Sequence, residues 1–488
     1  MSANTKESAK VDDSLSSDKS EDKESATEDK VDKSHPKKRL TLKLGVFVAC
    51  VLAIVSSGVT VWVMVQKEAS SKVVSTPVSA TIPVAVAISD IPPESKIGVI
   101  ITLGTGPNAE GSEWNLAAQG AAVAQKRLLL GEADIELAVE DDQGTERGSQ
   151  EAVERLIQNG VIGIVYASSG HHIESGLEVA SKEDVGVILP YAQVPEQGFS
   201  NVWSIAPTDD STNLALRQWV SDFNHVLLID AGGGLDKTIT PADTMSFTAG
   251  ADENAVAAEV ARKAGLDPLA GAYEHKPIDA TPQPVDPIAE KVDAVIISGH
   301  PTLQARLILA LQARNVSLPI VLTPNALSPT FDTTLAAIGG SVPTNLSTVG
   351  IAWDDAQSLN PTEQGRAMSA YLASIRQFSG PGSATALMGD AAFSTVAPVA
   401  DIRSHDAVLA FAEALSKAQN ADPSTVMESL RSLRMDARNS VGSPTLDFSK
   451  PEALVGDVTT LRASGQKLGL RPESLDFPRE LLWIPDAS

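Results

Sequence analysis

The chain has 488 residues, 43% hydrophobic and 20% charged, which is enough apolar material for a large core and excludes disorder throughout. Its formal net charge of −24 is spread along the sequence, so most surfaces would repel a phosphate backbone, which argues against nucleic-acid binding. The single cysteine, Cys50, excludes an intramolecular disulfide and a cysteine-based zinc site.

The first 39 residues alternate Lys, Asp, Glu and Ser with hardly an apolar side chain and read as a disordered tail. From Leu44 to Val65 no charge occurs, and about 22 residues at about 1.5 Å each span a bilayer core, so a transmembrane anchor is expected over 44–66. Lys37, Lys38, Arg39 and Lys43 crowd its N-terminal flank while Lys67 and Lys72 are sparser beyond it, which puts the tail in the cytoplasm and the remainder outside. A cleaved signal peptide and a lipoprotein signal at Cys50 are the alternatives; the apolar run continues past Cys50 through Val51 to Val55, which disfavours lipidation. Residues 67–95, rich in Ser and Pro, read as a stalk linker.

From Lys96 short apolar runs alternate with helical patterns, the signature of βαβ units and a parallel sheet. A strand over Ile97–Leu103 enters a Gly/Pro loop, 104–111, followed by a helix carrying Ala117, Ala121, Ala124 and Leu128 at helical spacing. Strands are then expected near Ile135–Val139, Val161–Tyr166 and Val185–Leu189, with a helix over Ser149–Asn159. The alternation restarts at Val226–Ile229 and continues through Ala294–Ile297, a helix over Leu303–Ala313 and Pro319–Leu322. Helical patterns over 364–375, 405–417 and 423–433 precede a Gly/Pro-punctuated end, so the fold class is α/β with two Rossmann-like lobes.

The 104–111 loop has the wrong glycine spacing for a dinucleotide fingerprint, and Pro107 interrupts it, yet it sets Trp114 where open α/β folds bind ligands. Ser168, Ser169, His171 and His172 cluster after a strand, but no nucleophile elbow and no H-E-x-x-H motif accompanies them. Neither catalysis nor a metal site is therefore expected, and no cofactor is called for. The cluster reads either as ordinary polar loop residues or as hydroxyls and amides for a ligand carboxylate or other anion. Asp141 and Asp142 read as a solvated loop, Asp209 and Asp210 as helix-capping or ligand-contacting residues, and Trp353-Asp354-Asp355 as an acidic stretch of open role.

The segments IGVIITLGTGPNAEGSEWNLAAQGA (97–121), VEDDQGTERGSQEAVERLIQNGVIGIVYASSG (139–170), VGVILPYA (185–192), SIAPTDD (204–210), DAVIISGHPTLQARLILALQARNV (293–316) and SHDAVLAFAEAL (404–415) make the exported part similar in order to one family. Over about residues 96–475 it resembles the type I periplasmic binding proteins, in particular the branch that binds branched-chain amino acids. The resemblance implies two lobes joined by three crossovers, lobe 1 from 96–207 plus 350–438 and lobe 2 from 208–349 plus 439–488, with a ligand held between them. It implies ligand contacts at Trp114, Ser168, Ser169, Tyr191, Ala192, Gln193, Asp209, His300 and Asn325. Amino-acid binders carry a small hydroxyl residue where Gln193 stands and an acid for the ligand ammonium where Asn325 stands, so both positions depart from the pattern. The implied function is a membrane-anchored, non-enzymatic receptor for a small polar solute (amino acid, amide or related anion) that serves an ABC permease. The alternative is a sensor or interaction domain of the same fold.

Overall fold

The computed structural model describes residues 84–104, 109–248, 250–267, 290–389 and 391–486. The tail, the anchor and the linker as far as residue 83 lie outside them; among the described residues no helix is long and apolar enough to cross a membrane. The last part of the expected linker is part of the folded body instead. The Arg127 side chain, itself buried, donates through Nε to the Val84 carbonyl (2.8 Å), and Val86 N donates back to the Arg127 carbonyl (3.0 Å). Val86 and Ile88 are buried in the same core as the first strand, so their burial ties 84–95 down where Ser/Pro composition suggested a free stalk.

The first lobe is built on a five-stranded parallel sheet of order β2-β1-β3-β4-β5: β1 (Lys96–Ile101), β2 (Glu136–Asp141), β3 (Ile164–Tyr166), β4 (Val187–Leu189) and β5 (Val202–Ser204). Its inner strands are covered on both faces, which is why they read as unbroken apolar runs. The crossover helices are α1 (Gly120–Leu130), α2 (Glu146–Gln158) and α3 (Ile173–Lys182). Thr145 caps α2 by accepting from Gly148 N (3.0 Å).

The second lobe follows with α4 (Asp209–Val220), β6 (Val226–Ala231), β7 (Asp243–Ser246), α5 (Glu253–Lys263), β8 (Ala294–Gly299), α6 (Pro301–Ala313), β9 (Ile320–Leu322), α7 (Pro329–Ala337) and β10 (Leu346–Gly350). The chain then returns to the first lobe with α8 (Glu363–Phe378), α9 (Phe393–Val396), α10 (Ile402–Ala418), α11 (Pro423–Arg431) and a small antiparallel sheet, β11 (Arg434–Met435), β12 (Thr445–Asp447) and β13 (Leu454–Val455). Finally β14 (Thr459–Ser464) and β15 (Leu482–Pro485) join the second sheet as its antiparallel edge, giving the order β15-β14-β10-β9-β8-β6-β7.

The chain thus passes between the sheets three times: between β5 and α4, after β10, and between β13 and β14. Residues 439–455, assigned to lobe 2 from the sequence, pack with the first: Val441, Leu446, Phe448 and Ala453 lie in the core around β1 and α10. The acidic stretch after β10 is structural. Asp355 receives both Nε and Nη2 of Arg471 (2.7 and 2.9 Å), and Arg471 Nη1 donates to the carbonyls of Pro398 and Ala400 (3.1 and 2.6 Å). Burial alone would push the Asp355 carboxyl up, but the guanidinium groups of Arg471 and Arg479 outweigh it and hold the carboxyl below its ordinary value.

Candidate functional site

The loop after β1 turns inward at Gly111, whose φ of 87° is left-handed and whose absent Cβ would run into the Ser168 hydroxyl. The turn Ser112–Trp114 that follows buries Glu113 and Trp114 side by side. Trp114 stacks flat on Tyr191, with ring centroids 4.5 Å apart and planes 1° from parallel. The Arg403 guanidinium lies over Trp114 (4.7 Å), Tyr191 (4.5 Å) and Trp353 (4.8 Å). Asp401 fixes it, accepting from Arg403 Nε (2.9 Å) and from the Arg403 amide (2.9 Å) as the cap of α10. Trp114 and Tyr191 are therefore walls of the site packed on each other and on Arg403, which borders the same space.

The two neighbouring serines face opposite ways. Ser168 is fully buried, within hydrogen-bond distance of the Thr102 hydroxyl (2.6 Å) and His172 Nε2 (3.4 Å), and does not line the cleft; this corrects the expectation that it meets ligand. Asp142, expected in solvent, is fully buried in the same network: it accepts from Thr102 Oγ1 (2.6 Å) and Gly144 N (2.9 Å) and pairs with His172 Nε2 (2.9 Å). Burial pulls the His172 imidazole down, but hydrogen bonding to Asp142 and the charges of Asp142 and Glu110 outweigh it and leave it above its ordinary value. These groups pack against one another and hold the loop carrying Ser169 in place.

Ser169 does face the cleft, and its hydroxyl donates to Glu113 Oε1 (2.7 Å). The cleft has a volume of about 1010 Å³ and takes its walls from both lobes: Glu113, Ser169, Ala192 and Gln193 on one side, Asp209, Gly232, His300 and Asn325 on the other. A second space of about 430 Å³ lies beside it, bordered by Trp114, Tyr191 and Arg403 and sharing Gln193, Asp209 and Asn325. Gln193 Nε2 donates to the Pro207 carbonyl at the first crossover, and the Ala192 carbonyl accepts from Ser204 Oγ (2.7 Å). Asp209 is exposed in the first turn of α4, whose cap is Thr208. Partial desolvation at the cleft wall, then the nearby Asp210 and Asp236, raise its carboxyl above the ordinary value.

Sequence reasoning missed Glu113, Arg403 and Asp401. Glu113 stands beside Trp114 in a quoted segment but carries no pattern that marks it as buried, and Arg403 reaches the site only through the fold. Among the described residues no group of His, Cys, Asp and Glu could hold a metal ion.

A family model described as periplasmic binding protein matches residues 94–466. No curated protein sequence matches the chain significantly. Among solved structures, a type 1 periplasmic binding protein from Bordetella pertussis Tohama I is 18% identical, with a TM-score of 0.54, and the match covers 80% of this chain and 100% of that one. A branched-chain amino acid transporter substrate binding protein from Streptococcus pneumoniae, in complex with isoleucine, is 13% identical with a TM-score of 0.54, and the match covers 80% and 100%. A fatty acid ABC transporter substrate-binding protein from Thermomonospora curvata is 12% identical with a TM-score of 0.54 and coverage of 83% and 94%. With the two parallel sheets, the three passages and a family match over most of its length, the chain belongs to the periplasmic binding proteins, of type I fold.

Proposed function

We propose that this protein is an extracytoplasmic solute receptor, held to the membrane by its apolar N-terminal segment, which captures a small polar solute between its lobes and delivers it to an ABC importer. The observation that carries the reading is the cleft itself, roomy and walled by polar side chains from both lobes. In this reading lobe 1 spans about 84–207 and 351–456, lobe 2 the segments between and after them, and Ser169, Gln193, Asp209, His300 and Asn325 meet the solute. Trp114 and Tyr191 shape the wall.

The ligand class expected from the sequence is narrowed by charge. Glu110, Glu113, Glu174 and Asp209 face the cleft against His171 and His300, with no lysine or arginine among its described lining residues. Such a lining disfavours an anion and suits a neutral or cationic solute. The fold is shared by a substrate binding protein in complex with isoleucine and by a fatty acid ABC transporter substrate-binding protein, so it does not choose the solute.

A thermal-shift screen of the full-length protein tests the reading, since a solute that binds only the folded state raises the melting temperature by mass action. At least one small polar solute should do so in a concentration-dependent way; silence from every solute class would count against it. For the topology, protease added to cells stripped of any outer wall should remove the large domain and spare the N-terminal tail. Survival of the large domain would reverse the orientation.

A further inference from the structure

Among the described residues two polar atoms of the cleft walls are buried without a hydrogen-bond partner, and they lie across from each other on opposite lobes: Glu113 Oε2 and His300 Nε2, 3.7 Å apart. That separation is too long for a hydrogen bond between them. A buried polar atom without a partner carries a desolvation cost, so two of them aimed at one point call for a third group there.

Their chemistry states what that group must do. His300 caps α6 with Nδ1, which accepts from Thr302 N (3.3 Å), so the neutral ring carries its proton on Nε2 and offers a donor to the cleft. Burial lowers the His300 imidazole below its ordinary value, which favours that neutral form. Burial and the nearby Glu110 raise the Glu113 carboxyl above its ordinary value, a rise that the Ser169 hydroxyl and the backbone amides of Glu113 and Gly111 offset in part. One side therefore offers an N–H and the other a carboxylate oxygen. As the lobes stand neither atom is open to solvent, so a single oxygen about 2.8 Å from both enters only as the lobes part; it completes the triangle if it accepts from one and donates to the other.

We infer that the solute presents an uncharged hydroxyl at this point, bridging Glu113 of lobe 1 and His300 of lobe 2. An ammonium has no lone pair for Nε2–H and would leave that donor unsatisfied; a carboxylate has no proton for Glu113 and would meet Glu110, Glu113, Glu174 and Asp209 as like charges. The bridge also couples recognition to the approach of the lobes, since neither lobe alone satisfies the hydroxyl. Thr330 Oγ1 at the start of α7 donates to the Glu113 carbonyl (3.0 Å), which seats the Glu113 turn against lobe 2. The inference rests on the receptor reading above.

The test is calorimetry and thermal shift on the full-length protein with glycerol, erythritol, myo-inositol and glucose set against propionamide, putrescine, isoleucine and octanoate. A hydroxylated neutral probe is expected to bind, with affinity at least tenfold weaker in Glu113→Gln and in His300→Asn while both variants melt near the parent without probe. Glu113→Gln keeps the shape and the acceptor for Ser169; His300→Asn keeps an oxygen to cap α6. Should His300→Asn melt early, Glu113→Gln and the matching deoxygenated probe carry the test. Hydroxylated probes that fail to bind, or that bind both variants as tightly as the parent, overturn the inference. Binding confined to the amide, diamine, amino acid or fatty acid overturns the hydroxyl and leaves the receptor reading intact, whereas silence from all eight counts against both.

Discussion

Arg471→Ala should lower the unfolding free energy by about 3–5 kcal/mol, the cost of breaking a buried ion pair by removing one partner. Asp355 and Arg471 have side chains only 5% and 8% exposed, and their two hydrogen bonds are fork to fork. Truncation leaves the Asp355 carboxylate buried and also orphans the Pro398 and Ala400 carbonyls that Arg471 Nη1 satisfies. Arg479, 3.7 Å from Asp355, supplies part of the missing charge, which places the loss nearer the lower figure. Urea unfolding of the full-length protein measures it, and a loss under about 1 kcal/mol would show that the pair behaves as an exposed one.

Trp114→Ala should cost about 3–5 kcal/mol of stability, as truncation of a buried Trp does, and should weaken solute binding as well. Trp114 is 4% exposed, belongs to the core cluster of β1 and α10, and forms one face of the stack with Tyr191 and Arg403. Trp114→Phe, which keeps an aromatic face for both neighbours, should recover most of the stability. Full stability in Trp114→Ala would mean that the stack does not hold the loop.

The parallel core was legible because its strands are buried on both faces. Ile97 to Ile101 and Ala294 to Gly299 leave unbroken apolar or small runs whatever helices cover them. The docking of Val86 and Ile88 was not, because two apolar residues in a Ser/Pro-rich stretch form no period. Nor were β11 and β13, two residues each, whose packing depends on partners far along the chain.

At the site, the cluster of polar residues after β3 was visible but its orientation was not. Successive side chains at the end of a strand point to opposite faces. Ser168 thus turns to Thr102 and Ser169 to Glu113, and at the end of β2 Asp141 accepts from Leu103 N (3.0 Å) while Asp142, the next residue, turns inward. Composition cannot choose between such neighbours. Glu113 was hidden for another reason: an acid becomes a buried group only through the walls around it, and those come from Ser169, His300 and Thr330, remote in sequence.

The claim that a solute is captured by closing the two lobes is tested most directly by an inter-lobe distance. Spin labels at Glu178→Cys on α3 and Lys237→Cys beyond β6, in a Cys50→Ser background of the full-length protein, report on the cleft from exposed positions on either side. Adding a solute that raises the melting temperature should shift the distance distribution to shorter values, because closure requires contacts made only when both lobes grip the solute. An unchanged distribution at saturating solute would contradict capture between the lobes and move the binding site elsewhere on the fold.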